Sequence, residues 1–110
     1  MGFNNSLFEV QQLITKIGVP AIKPMLDTIH MNIEETSLTD SIYRCGKSLG
    51  HMHLCESNAG ILGKGHIDFQ SVLLALKAVN YKGFASVKVY RKASFEAGAR
   101  SSMEYLESQV

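Results

Sequence analysis

Of the side chains in this 110-residue chain that could bind a metal ion or move a proton, Asp27, His30, His51, His53 and Lys88 stand out by their placement. Asp27 closes the apolar run 21–27 and is followed by Thr28-Ile29-His30-Met31-Asn32-Ile33-Glu34-Glu35. His51 and His53 alternate with Met52 and Leu54, ahead of Cys55-Glu56-Ser57-Asn58, and Lys88 stands between Val87 and Val89. A carboxylate and imidazoles are metal donors and general acid/base groups, and an amine is a base or a Schiff-base nucleophile. Singly, such a histidine reads as a hydrogen-bonded core residue and such an aspartate as a helix cap. Together, at three corresponding strand ends, they read as a site, functional or formerly so.

The elements that must hold these groups follow from periodicity. Leu7, Val10, Leu13, Ile14 and Ile17 fall on one helical face over 6–17, and Gly18 ends that helix. The run 21–27 reads as a strand, although Pro24 removes a ladder donor and marks an edge or a distortion. Ser37 and Asp40 form a capping-box variant for a helix to about Lys47 that buries Leu38, Ile42 and Cys45. Residues 49–55 are the second strand. Asp68 caps a helix bearing Val72, Leu73, Leu76 and Val79, and Asn80-Tyr81-Lys82-Gly83 stops it. Residues 84–90 form the third strand, and a last helix starts at Ser94 with Phe95, Ala99, Met103 and Leu106 on one side.

The expected fold is therefore α/β, in the order α-β-α-β-α-β-α. It has three parallel strands with helices on one face, and residues 1–110 form a single domain. Side chains alternate along a strand. His51 and His53 thus share one face, opposite Met52 and Leu54, and Ser86, Lys88 and Tyr90 share another, opposite Val87 and Val89. A plain parallel sheet is apolar on both faces, so polar groups away from the helices imply a barrel-type lumen or cleft. Asp27, His53 and Lys88 lie towards the C-terminal strand ends, where parallel α/β proteins build sites. The length is too short for a complete eight-stranded barrel, which takes roughly 200 residues or more.

Composition excludes several classes. Eleven basic and ten acidic residues give a net charge of +1, so nothing favours nucleic acid or an anionic membrane. There is no apolar run near the length of a membrane span, and the N-terminus lacks a signal-peptide layout. A cytoplasmic protein with Cys45 and Cys55 as reduced, buried thiols is expected. The glycine-rich stretch Gly60–Gly65 lacks the Gly-Lys-Ser/Thr ending of a phosphate loop and reads as a loop at the mouth of the site. Glu34 and Glu35 read as loop and solvent contacts. Zinc held by His51, His53 and Cys55 is a weaker alternative.

The patterns Leu-Asp-Thr-x-His-Met-Asn-Ile-Glu-Glu, His-x-His-x-x-Glu-x-Asn and Gly-Lys-Gly-x-Ile-x-Phe resemble the sugar isomerase/epimerase superfamily, the xylose-isomerase-like TIM barrels. Within it they are most similar to ketose 3-epimerases of the tagatose/psicose type. The resemblance covers nearly the whole chain and implies the C-terminal portion of a (β/α) barrel, a partial TIM-type barrel. In such enzymes a divalent ion, manganese or magnesium, is held by two glutamates, an aspartate and a histidine, and the glutamates shuttle a proton beside the ketose carbonyl. By position, the resemblance makes Asp27 and His53 metal ligands and His30 a sugar contact. It also exposes departures. The last-strand glutamate falls at Lys88, the sugar-binding arginine at Ala59, and the remaining glutamates would lie before Met1.

These departures imply weak or vestigial metal binding, no bound cofactor and no confident catalytic residue. Three readings stay open. One is a sugar isomerase/epimerase-like partial barrel without metal-dependent epimerase activity of its own, retaining sugar or partner binding. Another is a subunit of a ketose 3-epimerase-type isomerase completed by another chain. The third is a new activity with Lys88, its pKa lowered by burial, as base or nucleophile. The two open edges of a three-stranded sheet imply self-association, with a homodimer as the simplest form.

Overall fold

The computed structural model describes residues 6–90 and 95–109. Helix α1 (Leu7–Ile17) opens on Ser6, whose hydroxyl accepts from the Glu9 amide, and closes on Gly18 in the left-handed region. Strand β1 (Met25–Asp27) leads directly into helix α2 (Thr28–Glu34), and helix α3 (Leu38–Cys45) follows. A 3-10 turn over Gly46–Ser48 precedes strand β2 (His51–Cys55). Helix α4 (Phe69–Ala78), strand β3 (Ala85–Lys88) and helix α5 (Phe95–Ser108) complete the order.

The three strands form one sheet in the order β1-β2-β3, parallel throughout. The α-β-α-β-α-β-α alternation holds, with α2 inserted as an additional helix. Its cause is local: the Asp27 side chain accepts from the Ile29 amide and so caps it. The strands are shorter than their apolar runs. Pro24 has no N–H, so the ladder of β1 begins only after it; its carbonyl instead accepts from the Gly50 amide. At the other edge the Tyr90 amide donates to the Ala59 carbonyl, after β3 has left the ladder.

The sheet has two unlike faces. Leu26, Met52 and Leu54 are buried on the helix side, in one core with Ile42, Cys45, Phe69, Val72, Ala75 and Leu76. Burying each of the larger side chains contributes about 1.5–3 kcal/mol. Met25, Asp27, His51, His53, Ser86 and Lys88 occupy the opposite face, as alternation requires. Ser37 and Asp68 cap α3 and α4 as expected, accepting from the amides of Asp40 and Ser71.

Helix α5 differs from expectation. Its buried stripe is Gly98, Ser102 and Leu106, whereas Met103 is half exposed. The reason is a polar tether: the Ser102 hydroxyl, fully buried, accepts from the Leu62 amide, and Tyr105 packs edge-on against Phe69. The expected helix start at Ser94 and the side chain of Phe95 lie outside the described residues.

Candidate functional site

Register brings the candidate residues together. Asp27 pairs with His53, His53 with Ser86, and Cys55 with Lys88, all on the face away from the helices. Asp27 is buried and uses both carboxylate oxygens. Oδ1 accepts from the Ile29 amide, and Oδ2 accepts from Lys88 Nζ at 2.5 Å. His53 Nδ1 lies 3.4 Å from the same Oδ2. That approach admits attraction when the ring is protonated but is not a hydrogen bond, and Nδ1 is buried without a hydrogen-bond partner.

Lys88 also lies over the Tyr90 ring, 5.5 Å from its centroid. Burial works against its ammonium, but hydrogen bonding and charge from Asp27 and Tyr90 outweigh that and raise its pKa above the ordinary lysine value. A base or Schiff-base lysine needs the opposite shift. Lys88 is held in an ion pair with Asp27, and its shift is opposite to the one a nucleophilic lysine uses. Burial, and then the Asp27 charge, push the neighbouring Cys55 thiol up, which keeps it protonated.

The flanking residues fix this cluster. Thr28 is buried, and its hydroxyl donates to the Cys55 carbonyl at 2.7 Å and accepts from the Cys55 amide at 2.8 Å. It thereby clamps the end of β1 to the end of β2. His51 Nε2 lies 3.1 Å from Ser86 Oγ, and its ring meets His53 edge-on at 4.9 Å. His30 stands in the first turn of α2 with its side chain exposed, outside the Asp27–His53–Lys88 cluster. Ala59 adopts a left-handed backbone, φ 61°, uncommon for a residue with a Cβ.

Glu56 carries a role the sequence did not announce. Fully buried, it accepts from the amides of Ser57 and Ile67 through Oε1 and of Gly63 through Oε2, at 2.8–2.9 Å. Those three donors wrap the glycine-rich loop around one carboxylate. Gly65 is required there, since a Cβ would come within 2.5 Å of the Glu56 side chain. The signal lay in its motif, but a carboxylate beside two histidines reads as chemistry before it reads as a loop anchor. Glu35 likewise is not a solvent contact: its Oε1 accepts from the Leu7 amide at 2.5 Å and holds the N-terminus of α1.

The chemistry that the resemblance implies uses a divalent ion, and the described residues of this cluster do not fit one. Asp27 Oδ2 and His53 Nδ1 are close enough to share an ion, but the Lys88 ammonium already occupies Oδ2. Among the described residues, no group of three or more His, Cys, Asp or Glu side chains could hold a metal ion, and His51, His53 and Cys55 form no zinc set. Two donors and an adjacent cation cannot replace the six or so oxygens of a hard ion.

The fold and these motifs have known counterparts. A D-psicose 3-epimerase of Enterocloster bolteae is 41% identical over 86 residues, 78% of this chain and 29% of that protein. An L-ribulose 3-epimerase of a Methylomonas species is 48% identical over 79 residues, 72% of this chain and 28% of the relative. The crystal structure of D-allulose 3-epimerase from Methylomonas sp. superposes with a TM-score of 0.89 at 27% identity, covering 96% of this chain and 43% of that one. The chain thus spans less than a third of the length of these two curated relatives. No described helix is long and apolar enough to cross a membrane. The sequence pattern of one family runs over residues 1–109, and together with three parallel strands whose polar face gathers Asp27, His53 and Lys88 it settles the assignment: the chain belongs to the xylose isomerase-like TIM barrel family.

Proposed function

We propose that this chain is a sugar isomerase/epimerase-like partial barrel that retains a polyol-binding face and lacks metal-dependent epimerase activity of its own. One observation carries the reading: Lys88 Nζ lies 2.5 Å from Asp27 Oδ2, where the resemblance calls for a metal-binding glutamate. The ammonium neutralises Asp27 and leaves no carboxylate on β3 to take a proton from a sugar carbon. What remains suits recognition. Lys88 and His53 offer donors towards the open face, and the resemblance makes His30, exposed on α2, a sugar contact. A neutral ketose of the kind the epimerase relatives act on is the expected ligand. Two buried, free thiols suit a reducing compartment, the cytoplasm.

The test is a calorimetric titration of the purified chain with D-psicose and, separately, with manganese, plus an assay for epimerised product. The expected result is weak sugar binding, on the order of millimolar, unchanged by manganese, with no product. Measurable epimerisation on adding manganese would overturn the reading.

A further inference from the structure

We propose that the cavity at the N-terminal end of the sheet, ringed by Lys23, Lys47 and Lys82, binds a small phosphate-type dianion, free or as the phosphate end of a sugar phosphate. It lies at the opposite end of the strands from Asp27, His53 and Lys88. It does not depend on the sugar-binding reading, so either can fail alone.

The three lysines come from separate connections. Lys23 precedes β1, Lys47 lies in the turn between α3 and β2, and Lys82 lies between α4 and β3. Because the strands are parallel, every connection enters its strand from the same end. The fold thereby gathers cations that are scattered in sequence around a cavity of about 310 Å³. That volume is at the low end for a small-molecule site, so it suits a phosphate with a small polyol better than a nucleotide. Two glycines shape it. A Cβ at Gly50 would come within 2.8 Å of the Lys23 Cβ, and one at Gly83 within 2.5 Å of the Tyr81 hydroxyl. Lacking Cβ atoms, they let the lysine-bearing segments close in.

Charge selects the ligand. No carboxylate lines the cavity, and among the described residues none of the three lysines forms an ion pair. Helices α3 and α4 end here, and each helix dipole supplies roughly half a negative charge. The cap amides of Gly46 and Val79 already bond carbonyls of those last turns. About two positive charges therefore stay uncovered, and a concave wall focuses their field. A dianion matches that excess, whereas a neutral sugar does not. All three lysines are exposed, so their ammonium groups can turn onto a ligand.

The experiment titrates the whole chain with inorganic phosphate and, separately, with fructose 6-phosphate, using fructose as the neutral control. Calorimetry and amide NMR shifts are the readouts. Both phosphates should bind saturably, moving the amides of Gly46, Gly50 and Gly83 most, and fructose should leave these amides unmoved. Tighter binding of the ester would identify a sugar phosphate as the ligand, and equal affinity the phosphate group alone. Lys47→Gln and Lys82→Gln should each weaken phosphate binding roughly three- to fivefold, the worth of one exposed charge pair. Lys64→Gln, an equal loss of charge in the glycine-rich loop, should leave it unchanged. Circular dichroism of the variants would establish that they fold. No saturable binding, largest shifts at Asp27 and His53 instead, or an equal effect of Lys64→Gln would overturn the proposal.

Discussion

The Lys88 ammonium lies 2.5 Å from the buried Asp27 carboxylate, which His53 also approaches, and on the reading proposed above it stands where a metal-binding glutamate would. Lys88→Glu should undo that arrangement. Without metal, two carboxylates then face each other, and the melting temperature should fall below that of the parent. With manganese, Asp27, His53 and the introduced carboxylate make three donors. Affinity should then rise at least about tenfold over the parent, and the melting temperature should recover as ligand linkage requires. Adding Asp27→Asn should return manganese binding to the parent level. Calorimetry and thermal melts in millimolar manganese check this; no gain from Lys88→Glu would mean that the strand ends do not converge on one ion.

At the scale of elements, two carboxylates hold the region after β2. Glu56→Ala removes the acceptor of three amides and should destabilise the fold by roughly 3 kcal/mol or more, measured by urea unfolding. Amide exchange at Gly63 and Ile67 should accelerate most. Asp68 is the exposed cap of α4, and its pKa is lowered by the Ser71 hydroxyl and then the Ser71 amide. A group with a depressed folded pKa stabilises above its unfolded value, about 3.9, and loses that contribution as pH falls through the folded value. Asp68→Ala should therefore cost about 1 kcal/mol at pH 7, and its difference from the parent should shrink below about pH 4. A pH-independent difference would show that the cap acts through something other than its charge.

At the scale of the whole molecule, Cys45 on α3 and Cys55 on β2 are both buried and free, and burial raises both thiol pKa values. Neither should react with a disulfide reagent at neutral pH while the chain is folded, and both should titrate in denaturant. Their reaction rate under native conditions then reports opening of the core. Fast labelling of Cys55 alone would mean that the open face admits solvent to the end of β2.

The sequence by itself determined what depends on local pattern. Apolar periodicity located α1, α3 and α4 and the three strands, Ser37 and Asp68 announced their caps, and alternation put Asp27, His53 and Lys88 on strand faces that register then joined. Motif spacing carried the family. What only the tertiary structure decided depends on partners distant in sequence. Asp27 reads equally as cap or ligand, and it is both the cap of α2 and the counter-ion of Lys88, a choice made by a residue 61 positions away. The direction of the Lys88 shift turns on that same pairing, because burial alone points the other way. Glu56, Glu35, Thr28 and Ser102 satisfy backbone donors that the local sequence does not identify. A side chain's chemistry is written in its type, but its charge state and hydrogen bonds are set by what the fold brings within about 3 Å.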